Sequence, residues 1–103
     1  MINNPSIWGP YYWFFLHTIA LNYPNTPNKM IKKKYYDLIM NFPLFIPSKE
    51  IADDFESLLD KYPVTPYLDN RSALIKWIHF IHNEINKKTN KPVIEINDFV
   101  NNY

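Results

Sequence analysis

Apolar side chains recur at helical spacing through most of the chain, and prolines cut the pattern into lengths. Ile31, Tyr35, Leu38, Ile39 and Phe42 stand at i, i+4, i+7, i+8 and i+11, one stripe opposite Lys32, Lys33 and Asp37. Ile51, Phe55, Leu58, Leu59 and Tyr62 repeat that stripe. Leu74, Trp77, Ile78, Ile81 and Ile85 form a third, behind an N-cap supplied by Asp69 or Asn70. Each spacing predicts an amphipathic helix. PYYWFFLHTIALNY is apolar nearly all round, so periodicity cannot type it; the thirteen residues after Pro10 point to a central, deeply packed helix. EINDFVNNY reads as a short fifth helix.

The chain has a single glycine, Gly9, so its nine prolines are left to supply most of the stops. Pro10, Pro24 with Pro27, Pro43 with Pro47, Pro63 with Pro66, and Pro92 leave short connections between neighbours, as antiparallel helices need. The expected fold class is all-α: a small four-helix bundle with a short fifth helix across it, one domain over residues 1–103.

Composition narrows the function. With 47% apolar and 17% aromatic residues, 103 residues can bury one core. Eleven basic against ten acidic side chains give a net charge of +1, which argues against a nucleic-acid binder. The longest apolar run is broken by His17 well short of a membrane span, and MINNPSIWGP lacks the pattern of a signal peptide, so a soluble chain is expected. Ten lysines to one arginine, with thirteen asparagines and thirteen isoleucines, fit an AT-rich genome as readily as any function. There is no cysteine, which excludes disulfides, thiolate metal sites and thiol redox chemistry carried by this chain.

Three clusters carry candidate chemistry. His79, His82, Asn83 and Asn86 share a helix face that either grips a polar ligand or satisfies its own hydrogen bonds; His79 and His82 lack a third ligand at motif spacing, so no metal site is expected. Lys87, Lys88 and Lys91 follow, placed equally well to offset a helix C-terminus or to meet ligand phosphates. Trp8, Tyr11, Tyr12, Trp13, Phe14 and Phe15 put six aromatics in eight residues, suited to a flat heteroaromatic ligand or to an aromatic core or dimer interface.

Together, WGPYYWFFLHTIALNYP at residues 8–24 and WIHFIHNEINKKTNKP at 77–92 resemble the two flavin-binding signatures of the Erv/ALR family of FAD-linked sulfhydryl oxidases, in a form like the short viral members. The resemblance covers nearly the whole chain. It implies a four-helix bundle with a fifth helix, FAD at the bundle mouth and a homodimer. Carried over by position, Gly9, Trp13, His17, His82, Asn83, Asn86, Lys88 and Lys91 would contact the flavin nucleotide. The family's redox pair, P-C-x-x-C, falls on Pro47, Ser48, Lys49, Glu50 and Ile51, and its structural disulfide on His79 and Ile96, so both are missing here.

Serine does not ionise at neutral pH and isoleucine has no redox chemistry, although Ser48 is well placed to cap a helix. The resemblance with this departure implies a non-catalytic homologue, a pseudoenzyme with no catalytic residues. It would act by binding a protein partner or a second copy, with FAD retained. The alternatives are an active flavoprotein using external thiols or another electron donor, and a structural virion or host-cytoplasm component with a vestigial flavin site. If the lost pair reflects rebuilding, Phe45 and Ile46 should pack over the place where a thiol would face the flavin. Tyr11, Tyr12, Phe14 and Phe15 offer more apolar surface than a monomer comfortably covers, which favours a dimer.

Overall fold

The computed structural model describes residues 4–93. It contains four helices, α1 (Pro5–Leu21), α2 (Lys29–Asn41), α3 (Lys49–Lys61) and α4 (Arg71–Lys88), with a 3₁₀ turn at Phe42–Phe45 before α3 and another at Thr65–Leu68 before α4. There is no strand among the described residues. The expected fifth helix, EINDFVNNY, lies outside them, as does Ile96.

Polar side chains start every helix. Asn4, Asn28, Ser48 and Asn70 each accept a backbone N–H of the first turn, from Ser6 at 2.9 Å, Ile31 at 2.8 Å, Ile51 at 3.3 Å and Ala73 at 2.8 Å. Of the two candidates before α4 the cap is therefore Asn70. Asn4 also moves the start of α1: the helix begins at Pro5, in the first position where proline is at home, and runs through Pro10 instead of starting after it. Pro10 costs α1 one hydrogen bond, the one its missing N–H would make to the Ser6 carbonyl.

The core is built on α4, where Leu74, Trp77, Ile78, Ile81 and Ile85 are all buried, each side chain contributing about 1.5–3 kcal/mol relative to exposure. α1 packs along α4 more extensively than any other pair of elements. Leu16 and Ala20 of α1, Ile39 of α2, and Phe55, Leu58 and Leu59 of α3 complete the cluster. Buried hydrogen bonds lock the far end: the Tyr23 hydroxyl donates to the Leu68 carbonyl at 2.6 Å and Trp77 Nε1 to the Tyr62 carbonyl at 3.0 Å. No buried side-chain polar atom among the described residues lacks a partner.

Two expectations about burial fail. α1 is not deeply packed all round: Ile7, Tyr11, Phe14 and Phe15, at i, i+4, i+7 and i+8, form an exposed stripe, with Tyr11 73% accessible. Leu38, expected in the core stripe of α2, is also exposed and faces the same groove as Tyr11 and Phe15. The reason is geometric. α2 is held by its 3₁₀ extension and by the turn before α4, so its contact face is narrow and centres on Ile39.

Candidate functional site

A cavity of about 500 Å³ opens where the N-terminal half of α1, the start of α3 and the end of α4 meet, a size within the range of ordinary cofactor pockets. Trp13 and His82 form one wall, Ile51 and Ile85 supply apolar surface, and Asn86 and Lys91 bring polar groups. Trp13 lies flat on the His82 ring, centroids 3.9 Å apart and planes within 7°. Behind it His17 Nε2 and His82 Nδ1 are 2.9 Å apart and hydrogen-bonded, joining α1 to α4 inside the protein.

These two histidines are 4% and 6% accessible. Burial, then the nearby His79, holds His17 down to about 4; burial, then His17, His79 and Lys91, holds His82 down to about 3. Both rings are therefore neutral at physiological pH, with one N–H between them.

Of the eight residues singled out from sequence, Gly9, Trp13, His82, Asn86 and Lys91 line the cavity. His17 stands behind His82. Asn83 is buried and hydrogen-bonds His79, Nδ2 to Nε2 at 3.1 Å, while Lys88 reaches the Asp54 carboxylate at 3.7 Å. Among the described residues no group of three or more histidines and carboxylates is arranged to hold a metal.

Gly9 is informative because nothing among the described residues requires it. It lies within α1 with no left-handed backbone, and a Cβ built there would meet no atom within 4 Å. Glycine inside a helix costs roughly 0.5–1 kcal/mol against alanine, and the open space beside Gly9 borders the cavity.

The turn after α4 was not foreseen from the prolines. Asn90 has φ 60°, the left-handed conformation that asparagine tolerates best after glycine. It closes a two-bond cap, Lys91 N–H to the Asn86 carbonyl at 2.7 Å and Asn90 N–H to the Lys87 carbonyl at 3.4 Å. That reversal carries Lys91 and Pro92 back to the cavity, where Asn86 Nδ2 donates to the Pro92 carbonyl at 3.2 Å. The signal in the sequence was an asparagine followed two residues later by proline, at a helix end without glycine.

Ser48 caps α3, as its sequence position suggested, and Ile51 points its side chain into the cavity. Phe45, expected to cover this place with Ile46, is 67% exposed and lines a separate groove with Leu44 and Leu38; Ile46 alone is half-buried against the core. The Phe45 carbonyl accepts a hydrogen bond from the Tyr12 hydroxyl at 2.7 Å, and the 3₁₀ turn buries Phe42.

The profile of the Erv1 / Alr family matches residues 10–103. The chain belongs to the Erv1/Alr family. It is 35% identical over 92 residues to a probable FAD-linked sulfhydryl oxidase of Acanthamoeba polyphaga mimivirus, covering 88% of this chain and 64% of that protein. It is 33% identical to the mitochondrial FAD-linked sulfhydryl oxidase erv1 of Schizosaccharomyces pombe over 79% of this chain and 44% of the relative. An FAD-linked sulfhydryl oxidase of African swine fever virus is 32% identical over 93% of this chain and 79% of its own length. The chain thus spans less than two thirds of the first two relatives. The crystal structure of the yeast Erv1 core superposes with a TM-score of 0.85 at 28% identity, covering 93% of this chain and 80% of that one. The FAD-binding domain of Erv1 from Saccharomyces cerevisiae gives 0.81 at 30% identity, covering 88% of this chain and 85% of that one. The Erv1/Alr chain thus shares the all-helical fold of these neighbours, and none of its described helices is long and apolar enough to cross a membrane.

Proposed function

We propose that this Erv1/Alr chain binds FAD in the α1–α4 cavity without oxidising thiols, and acts through binding, to a second copy or to a protein partner. The residues present fit the cofactor. The space at Gly9 admits close approach to backbone, Ile51 and Ile85 give apolar contact, Asn86 offers an amide, and Lys91 a charge for phosphate. Gly9, Trp13, His82, Asn86 and Lys91 would border the cofactor, with His17, Asn83 and Lys88 supporting that wall. When bound, FAD supplies two-electron redox chemistry; this chain's residues bind, orient and shield it.

The observation that carries the non-catalytic reading is Ile51. Its aliphatic side chain faces the cavity at the position where the family resemblance puts a cysteine, and Ser48 uses its hydroxyl to cap α3. Neither group can receive electrons from a dithiol. The test is an oxygen-consumption and peroxide assay of purified protein with FAD and a dithiol substrate. The expected result is flavin absorbance that stays with the protein through gel filtration and a turnover no higher than free FAD. Turnover above that control would instead establish an oxidoreductase fed by external thiols. Protein without flavin bands, after incubation with FAD, would leave a structural role for the fold.

A further inference from the structure

We propose that the His17–His82 pair, with Trp13 stacked on it, is an acid-operated gate on the α1–α4 cavity, at which protons part the two helices locally and release a bound planar ligand. The proposal rests on the reading of the cavity as an FAD site for its ligand, and on the geometry of the pair for its mechanism.

Two neutral imidazoles carry two N–H groups, and one of them lies between His17 Nε2 and His82 Nδ1 at 2.9 Å. A first added proton goes to an outward nitrogen, which leaves that hydrogen bond intact. A second leaves both inner nitrogens protonated, donor facing donor, and the bond cannot survive. Burial penalises even the first charge. Once the rings separate and hydrate, both regain ordinary histidine basicity, so acid favours the open arrangement by mass action with up to two protons taken up.

The surroundings reinforce this. His79 on α4 acts on both rings and Lys91 beyond it on His82, and both oppose further positive charge. On α3, Asp54 is engaged by Lys88 at 3.7 Å, and on α4, Glu84 is engaged by Lys87 at 3.0 Å. The pair also sits where movement matters: His82 and Trp13 are cavity wall, parallel at 3.9 Å, and their stack cannot persist if His82 leaves His17.

The experiment measures FAD affinity by equilibrium dialysis from about pH 7.5 to about pH 4, with far-UV circular dichroism for the helices and imidazole NMR for the two rings. The expected result is an affinity that falls, below the ordinary histidine pKa of about 6.5, with a slope approaching two decades per pH unit while the helical signal stays intact. The His82→Gln variant should lower that slope to one or less. An affinity flat with pH would overturn the gate, as would loss of flavin only together with loss of helix. If the protein takes no FAD at about pH 7.5, the cofactor reading fails by itself. The gate is then read from the rings: uptake of two protons in one step, with loss of Trp13 near-UV dichroism, supports it, and two independent one-proton titrations reject it.

Discussion

Ile51 decides the chemistry of the cavity with four carbon atoms, because a side chain that holds no lone pair or labile proton cannot relay electrons. Phe45, expected to cover this place, is exposed and lines a separate groove, while Ile51 lines the cavity. Placing cysteines at both positions, Ser48→Cys with Ile51→Cys, is therefore expected to produce dithiol oxidase activity in FAD-loaded protein, where the wild type is expected to show none above free FAD. Peroxide release from the double variant is the measurement, and a variant that folds, holds FAD and stays inactive would mean the loss runs deeper than two residues. The buried histidines give a second expectation. In the unfolded chain both titrate near 6.5, while burial in the closed fold holds His17 down to about 4 and His82 to about 3, so on acidification the unfolded state takes up protons first. Stability is fully present above about pH 6.5 and falls as pH drops through the two folded values, which urea midpoints between about pH 7 and pH 4 would register. Replacing both rings by glutamine should flatten that dependence. At this scale the sequence was only half legible: the spacing from Trp13 to His17 put them on one helix face, but the pairing of His17 with His82, sixty-five positions away, depends on how α1 crosses α4.

The elements were more legible, because α3 and α4 each bury a stripe that local spacing already marks, α2 buries Ile39 of its own, and polar caps stand before all three. What local patterning missed has local causes of another kind. Pro10 reads as a barrier, yet Asn4 and Pro5 nucleate α1 early enough for the helix to absorb it. Asn90 reads as one of thirteen asparagines, yet it is the residue that turns the chain at the end of α4. Asn90→Ala is expected to cost about 1–2 kcal/mol and Asn90→Gly to be neutral or mildly stabilising, by urea denaturation. The alanine variant should also weaken FAD binding, since Lys91 reaches the cavity through that turn. Gly9→Ala separates the two roles of α1. With no atom within 4 Å of the new Cβ, alanine should stabilise the ligand-free protein by roughly 0.5–1 kcal/mol while lowering FAD affinity. Gains in both quantities would show that the space beside Gly9 is not used by the cofactor.

At the scale of the whole molecule one face carries a run of exposed apolar side chains. Ile7, Tyr11, Phe14 and Phe15 line the outside of α1, and Leu38, Leu44 and Phe45 continue the apolar surface around a groove of about 780 Å³. The α1–α4 cavity lies elsewhere on α1, bordered by Gly9 and Trp13, so the helix borders two surfaces at once and an occupied outer face would stiffen the wall of the inner one. Contiguous exposed apolar surface on this scale marks an interaction site, and self-association is the economical use of it for a small chain. A symmetric dimer with α1 and the Phe42–Phe45 turn in its contact is the expected state at micromolar concentration. Because Leu44 is 76% and Phe45 67% accessible, Leu44→Glu together with Phe45→Glu should leave the helices intact by circular dichroism. The same pair places charges in the centre of the contact, where burial without a partner is heavily penalised. Light scattering should then give a dimer for the wild type and a monomer for the double variant. A wild type that is monomeric from the outset would direct the face to a different protein, and a double variant that remains dimeric would move the interface off this groove.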